Sequence, residues 1–189
     1  MLKKILIGLV VVIAVAAIAL WYLNYRNRTL SPSDKTELKN GNLMASISYS
    51  RPSVRNRVIF GPKEQGALQP YGAYWRLGAN ESTELTVNTA FMVAGKMVLA
   101  GTYKIYAIPG PDEFEIVFNS ELGTWGAGEP NHSLDVMRVS VPVEKVNPPV
   151  EQFTIKMNTY PGESDNQAGI QIIFEWSDVR FILPILQAI

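Results

Sequence analysis

A period of two dominates this chain from residue 84 to its end, and it leaves little room for any fold but an antiparallel β-structure. Leu85 and Val87 alternate with Glu84, Thr86 and Asn88, and Tyr103, Ile105 and Ala107 with Thr102, Lys104 and Tyr106. Phe114, Ile116 and Phe118 alternate with Glu113 and Glu115, and Met137, Val139, Val141 and Val143 with Arg138 and Ser140. Phe153, Ile155 and Met157 alternate with Gln152, Thr154 and Lys156, and Ile170, Ile172, Phe174 and Trp176 with Gln171 and Glu175. Side chains on a strand point to opposite faces in turn, so each pattern reads as a half-buried strand. Short turn signals separate them: Ala94-Gly95-Lys96, Ala100-Gly101, Pro109-Gly110-Pro111-Asp112 and Ser177-Asp178. Val179–Ile185 reads as a final strand, and Pro142, lacking a backbone N–H, requires its strand to be an edge or to bulge there. No long amphipathic helix competes for the core. The expected fold is all-β: an antiparallel β-sandwich or jelly-roll-like domain, preceded by one transmembrane helix.

That helix is predicted from the N-terminus. Residues 1–4 form a short tail carrying Lys3 and Lys4, and Ile5–Leu23 is an uncharged run of 19 residues. At about 1.5 Å per residue such a run just crosses a hydrocarbon core of about 30 Å. Trp21, Tyr22 and Tyr25 stand at its far end, where aromatic rings favour the headgroup zone, and Arg26 and Arg28 follow. The basic N-terminus is expected to stay inside, which makes the chain a membrane partner through residues 5–23 and places the folded domain on the outer side, periplasmic or extracellular. A cleaved signal with a secreted product is the alternative, with cleavage patterns at Ala14-Val15-Ala16 and Ala17-Ile18-Ala19. Residues 24–41 read as a polar linker, and the sandwich domain is expected over residues 42–189.

Several functions are excluded by composition. The chain has no cysteine, so thiolate nucleophiles, disulfides, Fe–S clusters, cysteine zinc sites and a lipoprotein anchor are all ruled out. Beyond Lys3, Lys4, Arg26 and Arg28, 13 basic residues face 17 acidic ones, a poor balance for nucleic-acid binding. No cofactor and no metal site is expected. Glu163, Asp165 and Asn166 could hold calcium, but they lack the spacing of a calcium loop and read better as a polar hairpin. Glu113 and Glu115 share a strand face and read as solvated carboxylates.

Candidate site residues concentrate in Tyr74-Trp75-Arg76-Leu77-Gly78-Ala79-Asn80-Glu81. Trp75 offers a flat face to a sugar ring, Arg76 a rigid fork for carboxylate or phosphate, and Asn80 and Glu81 groups that read hydroxyls. An Arg76–Glu81 pair that pins the loop is the structural alternative. Arg51, in Ser48-Tyr49-Ser50-Arg51-Pro52-Ser53, is fixed by the following proline and joins the expected site, with Trp125 closing one wall. Arg55 and Arg57 either share an anion pocket with Arg76 or are solvated loop charges. Catalysis has only two weak candidates, Glu81 and the single histidine, His132, which has Asp135 three residues on. No nucleophile motif accompanies them.

These same blocks resemble the domain-of-unknown-function family 2911, exported β-rich bacterial proteins. The matching segments are Ser48–Val54 with Ile59-Phe60-Gly61, Pro70-Tyr71-Gly72, Trp75–Glu81 through Thr83, Leu99–Tyr103 with Ile108-Pro109-Gly110, and Trp125-Gly126-Ala127, covering residues 42–185. The chain differs in its anchor-like N-terminus and in a longer Gly61–Ala67 segment. The resemblance implies an envelope or secreted β-domain, and implies no substrate and no catalytic residue. The side chains of Arg51, Trp75, Arg76, Asn80, Glu81 and Trp125 suit a glycan or a small anionic ligand, so the expected function is a binding or interaction module. A hydrolase with a carboxylate or histidine base, and a purely structural envelope domain, are the alternatives.

Overall fold

A computed structural model of the chain describes residues 2–126, 128–161 and 167–188. Helix α1 (Leu2–Leu30) leads into eleven strands: β1 (Ser33–Asn40), β2 (Leu43–Ser50), β3 (Phe60–Gly61), β4 (Gln69–Pro70), β5 (Thr83–Val87), β6 (Phe91–Val93), β7 (Lys96–Val98), β8 (Gly101–Ile108), β9 (Glu113–Asn119), β10 (Asp135–Pro161) and β11 (Ala168–Gln187). Nine of them form a continuous order β1-β2-β5-β8-β9-β10-β11-β6-β7, with every neighbour antiparallel. β3 and β4 make a separate short parallel pair.

The sheet becomes a β-sandwich because β10 changes partner along its length. Asp135–Pro142 pairs with β9, and Val143–Pro161 pairs with β11, so one strand serves both layers. Pro142 sits at the handover, on the last residue of the β9 pairing, where its missing N–H disturbs no ladder. Between the layers lies one apolar core. It includes Leu85 and Val87, Tyr103, Ile105 and Ala107, Phe114, Ile116 and Phe118, Phe153 and Ile155, and Ile170, Ile172, Phe174 and Trp176. These are the inward positions that the alternation assigned.

The structure corrects the sequence expectations at three places. The 24–41 segment is not a linker. α1 runs on to Leu30, with Trp21 stacked on Tyr25 one turn later, and only Ser31 and Pro32 separate it from β1. β1 pairs with β2 along its whole length, from Ser33↔Ser50 to Asn40↔Leu43. Its charged residues Asp34, Lys35, Glu37 and Lys39 hid it, and such charges are common on edge strands because they discourage pairing with other chains. Second, Ser177-Asp178 is not a turn between strands. β11 continues through it with Ser177 at φ 57°, opposite a register shift in β10, so the intended turn is a bulge that bends one long strand. Third, Lys104 and Tyr106 alternate with core residues yet are buried themselves, because loops cover the outer face of β8.

α1 buries none of its residues and is long and apolar enough to cross a membrane, as an anchor or a signal sequence would be. Glu163, Asp165 and Asn166, considered above for calcium, lie outside the described residues.

Candidate functional site

Three loops and the end of α1 meet on one side of the sandwich. The first loop follows β2. Val54 N–H donates to Glu151 O at 2.8 Å, Arg57 N–H closes a turn on Val54 O at 3.1 Å, and Arg55 and Asn56 take φ 50° and 57°. The second loop, residues 71–82, is held by Thr83 Oγ1, which donates to Leu77 O at 2.6 Å, and it places Leu77 and Asn80 at φ 52° and 58°. These four are most of the six non-glycine residues at positive φ among the described residues. Such conformations cost of order 1–3 kcal/mol each and gather at functional loops.

The third loop, residues 120–134, carries Trp125. It pairs with the second through Ser82 N–H to Thr124 O at 3.1 Å, Gly126 N–H to Asn80 O at 3.0 Å, and a Glu81–Trp125 bridge. The buried Lys104 ammonium braces it from below, donating to Thr124 Oγ1 at 2.9 Å and reaching Glu121 at 3.5 Å. Gly126 lies flat on the stem of Arg76: a Cβ there would stand 2.7 Å from Arg76 Cδ. The helix end is tied in by three contacts. Arg28 Nη2 meets Glu81 Oε1 at 2.6 Å, Asn80 Nδ2 donates to Ser31 O at 3.1 Å, and Arg55 Nη2 donates to Leu30 O at 3.1 Å. The last satisfies a carbonyl that a helix C-terminus leaves unpaired, and the second holds the residue that follows the helix.

Two cavities result, with Trp125, 49% exposed, on the wall of both. One, of about 350 Å³, is lined by Arg55, Arg57, Arg76, Asn80, Trp125 and Trp176. No carboxylate lies within ion-pair distance of its three arginines among the described residues. Arg55 and Arg57 donate to the carbonyls of Leu30, Val54 and Ser53, and Arg76 Nη1 to Asn80 O at 3.2 Å. Burial lowers the pKa of Arg76 from its ordinary value, and burial also pushes the neighbouring Tyr74 phenol up to about 12. The buried indole N–H of Trp176 has no acceptor among the described residues. The other cavity, about 880 Å³, is lined by hydroxyls and carboxylates, including Ser33, Asp34, Tyr49, Glu84 and Thr124.

The expected site residues are thus divided. Arg76, Asn80 and Trp125 line the cationic cavity, and Glu81 and Trp125 the hydroxyl-rich one. Trp75 belongs to neither. It is 1% exposed, because its backbone bridges to Ala107 and turns the indole into the core against Trp176. Arg51 is spent on structure, donating to Phe153 O at 3.1 Å and Thr154 Oγ1 at 2.9 Å and pairing with Asp34 at 3.3 Å. An Arg76–Glu81 pair does not form, since Glu81 takes Arg28 instead. The contributions of Trp176 and of the α1 terminus were missed. The Arg55–Arg57 cluster was the visible signal for this cavity.

His132 lines neither cavity and belongs to a polar knot under the third loop. The Tyr106 hydroxyl donates to Asp135, 2.9 and 3.0 Å from its two oxygens, and lies 3.0 Å from His132 Nδ1. Asn119 Nδ2 and Arg138 Nη2 donate to the same carboxylate, each at 2.8 Å. Burial opposes ionisation of Asp135, but the hydrogen bonds from Asn119, Arg138 and Tyr106 outweigh it and hold its pKa below the ordinary value. A depressed carboxylate pKa adds stability above the unfolded value, near 3.9, and loses it as pH falls through the folded value. Asp135→Asn is therefore expected to cost about 1–3 kcal/mol at pH 7 in urea unfolding, a gap that narrows below about pH 4. A gap that stayed constant down to pH 2 would mean the charge of Asp135 is irrelevant to the knot.

Among the described residues no group of three or more histidines and carboxylates converges on a metal position. Comparison with curated proteins and with solved structures found no match. The block that forms this site lies inside a family match that begins at residue 31, close to the start of β1 and ahead of the expected boundary at 42. Matched over residues 31–185 by that family's model, the chain belongs to DUF2911, proteins of unknown function.

Proposed function

We propose that the domain is a binding module on the outer side of the membrane, and that its ligand is an anion held by Arg55, Arg57 and Arg76. One observation carries this reading: three guanidinium groups line a single cavity of about 350 Å³ without a carboxylate partner among the described residues. Arg76 is half-buried with a backbone carbonyl as its partner, and a partly buried cation without a counter-charge costs stability, so an anion that neutralises it is favoured there, with the exposed Arg55 and Arg57 adding positive charge at the same wall. Trp125 favours a sugar-bearing anion, because its exposed ring stands between the arginines and a cavity lined with hydroxyls and carboxylates, the groups that read sugar hydroxyls.

A hydrolase has less support. Glu81 is held by Arg28 at 2.6 Å, and His132 is engaged in the Tyr106–Asp135 knot. A purely structural domain accounts for the bonds of Arg55, Arg57 and Arg76 to backbone carbonyls, but not for their gathering at one cavity without a counter-charge among the described residues.

The test is calorimetric titration of the full chain in non-ionic micelles with inorganic phosphate, sulfate and glucose 1-phosphate. Binding that weakens with added salt is expected, and Arg57→Gln or Arg76→Gln should each weaken it by about 1.5–3 kcal/mol, the worth of a hydrogen bond to a charged group. Arg57 is exposed and bonds only backbone carbonyls, so its loss should change stability by no more than about 0.5 kcal/mol. Equal affinity in the arginine variants would rule the site out.

A further inference from the structure

We infer that the anion is the phosphate of a membrane phospholipid headgroup, taken from the bilayer beside the protein's own anchor. This rests on the anion-binding reading above and names its source. The first observation is placement. Asn27, Leu30 and Ser31, from the last turn of α1 and the residue after it, form part of the wall of the arginine cavity. α1 is unbroken from the apolar run ending at Leu23 to Leu30, a further seven residues. At 1.5 Å per residue this places the helix end about 10 Å above the hydrocarbon boundary. The polar zone of a bilayer occupies about 5–8 Å on each side of its hydrocarbon core. The helix end, which forms part of the cavity wall, therefore stands about 2–5 Å beyond the headgroup zone, a gap that a long arginine side chain spans.

The second observation is that the cavity cannot drift away from that level. Only Ser31 and Pro32 separate α1 from β1, and the helix end is fastened by Arg28 to Glu81, by Asn80 to Ser31 O and by Arg55 to Leu30 O. Asn80 and Arg55 thus belong both to the fastening and to the cavity wall. A soluble anion needs no such fixed height, and a flexible tether would serve it better. A headgroup, confined to a layer a few ångströms deep, is reached only by a site held against that layer.

The third observation is the chemistry of the wall. Arg55 and Arg57 are exposed and Arg76 is half-buried, so the same cavity offers a phosphodiester two accessible guanidinium groups and a more sheltered third. Guanidinium matches phosphate oxygens in pairs.

The experiment is hydrogen–deuterium exchange on the full chain in nanodiscs. The discs are made of the phosphate-free lipid digalactosyldiacylglycerol, either alone, with phosphatidylglycerol mixed in, or alone with inorganic phosphate added to the buffer. The expected result is that amides of residues 53–57 and 76–80 exchange about tenfold more slowly in the phosphatidylglycerol discs when that lipid is present at about ten times its Kd. Arg57→Gln alone, which leaves all three helix fastenings in place, and the Arg55→Gln, Arg57→Gln double variant, which removes one of them, should both lose this protection while the core strands keep theirs. Protection by inorganic phosphate but not by phosphatidylglycerol would overturn the lipid assignment and leave the anion site standing. Protection by neither would overturn both. Lipid protection unchanged in the double variant would also overturn the inference, because the arginines would not be the reason for it.

Discussion

Trp75→Ala is expected to lower the unfolding free energy by about 3–5 kcal/mol, as large aromatic deletions in cores do, and to leave any anion affinity unaltered in molecules that still fold. The indole stands at the centre of an aromatic cluster. It stacks on Trp176 with ring centroids 5.8 Å apart and meets Phe60 at 5.1 Å, Phe153 at 5.3 Å, and Phe114 and Phe181 at 6.3 Å each. These partners come from both layers of the sandwich and from β3, so the cavity left by Ala cannot collapse without moving two sheets. Urea unfolding followed by tryptophan fluorescence measures the loss. A change under about 0.5 kcal/mol, the range of ordinary surface substitutions, would place Trp75 outside the core and restore it as a ligand platform. Trp75→Phe should recover most of the stability by refilling the volume.

Gly78→Ala is expected to cost about 2–5 kcal/mol, combining a backbone conformation that L-residues rarely adopt with overpacking. Gly78 has φ 153°, and a Cβ there would come within 2.8 Å of Ser50 O and 3.3 Å of Thr83 Oγ1. The first neighbour is backbone of β2 and cannot swing aside. The second is the hydroxyl that fastens Leu77 O at 2.6 Å. The substitution should therefore both destabilise the fold and loosen the loop that carries Arg76 and Asn80. Thermal unfolding gives the first effect, and exchange of the 76–80 amides gives the second. A variant with unchanged melting temperature would mean that the loop shifts freely and that its tight seating on β2 is not a constraint.

Much of the fold was legible because a sandwich writes itself into a period of two. Leu85, Ile105, Ile116, Ile155 and Ile172 all point inward where alternation puts them. β1 was illegible because an edge strand rich in Asp, Lys and Glu looks like solvent-exposed coil until its partner strand is present. Lys104 and Tyr106 were read as solvent-facing because alternation reports only which face a residue takes. Whether a loop from another part of the chain covers that face is a tertiary matter. The site shows the same division. Arg76, Asn80 and Trp125 could be named from residue type, while the same reasoning chose Trp75 and Arg51, whose neighbours across the sandwich claim them.

The amino-acid sequence by itself determined that this protein has an apolar N-terminal helix, a cysteine-free β-sandwich with assignable inner faces, and a basic-aromatic loop region of the DUF2911 family. Those properties are local, set by side-chain period and composition over a few residues. Only the tertiary structure decided that α1 is fastened to the domain, that Trp75 is core, and that Arg55, Arg57 and Arg76 share one cavity. Each of these depends on contacts between segments far apart in the chain. A guanidinium or an indole becomes a scaffold or a binding group according to the partners that folding brings to it.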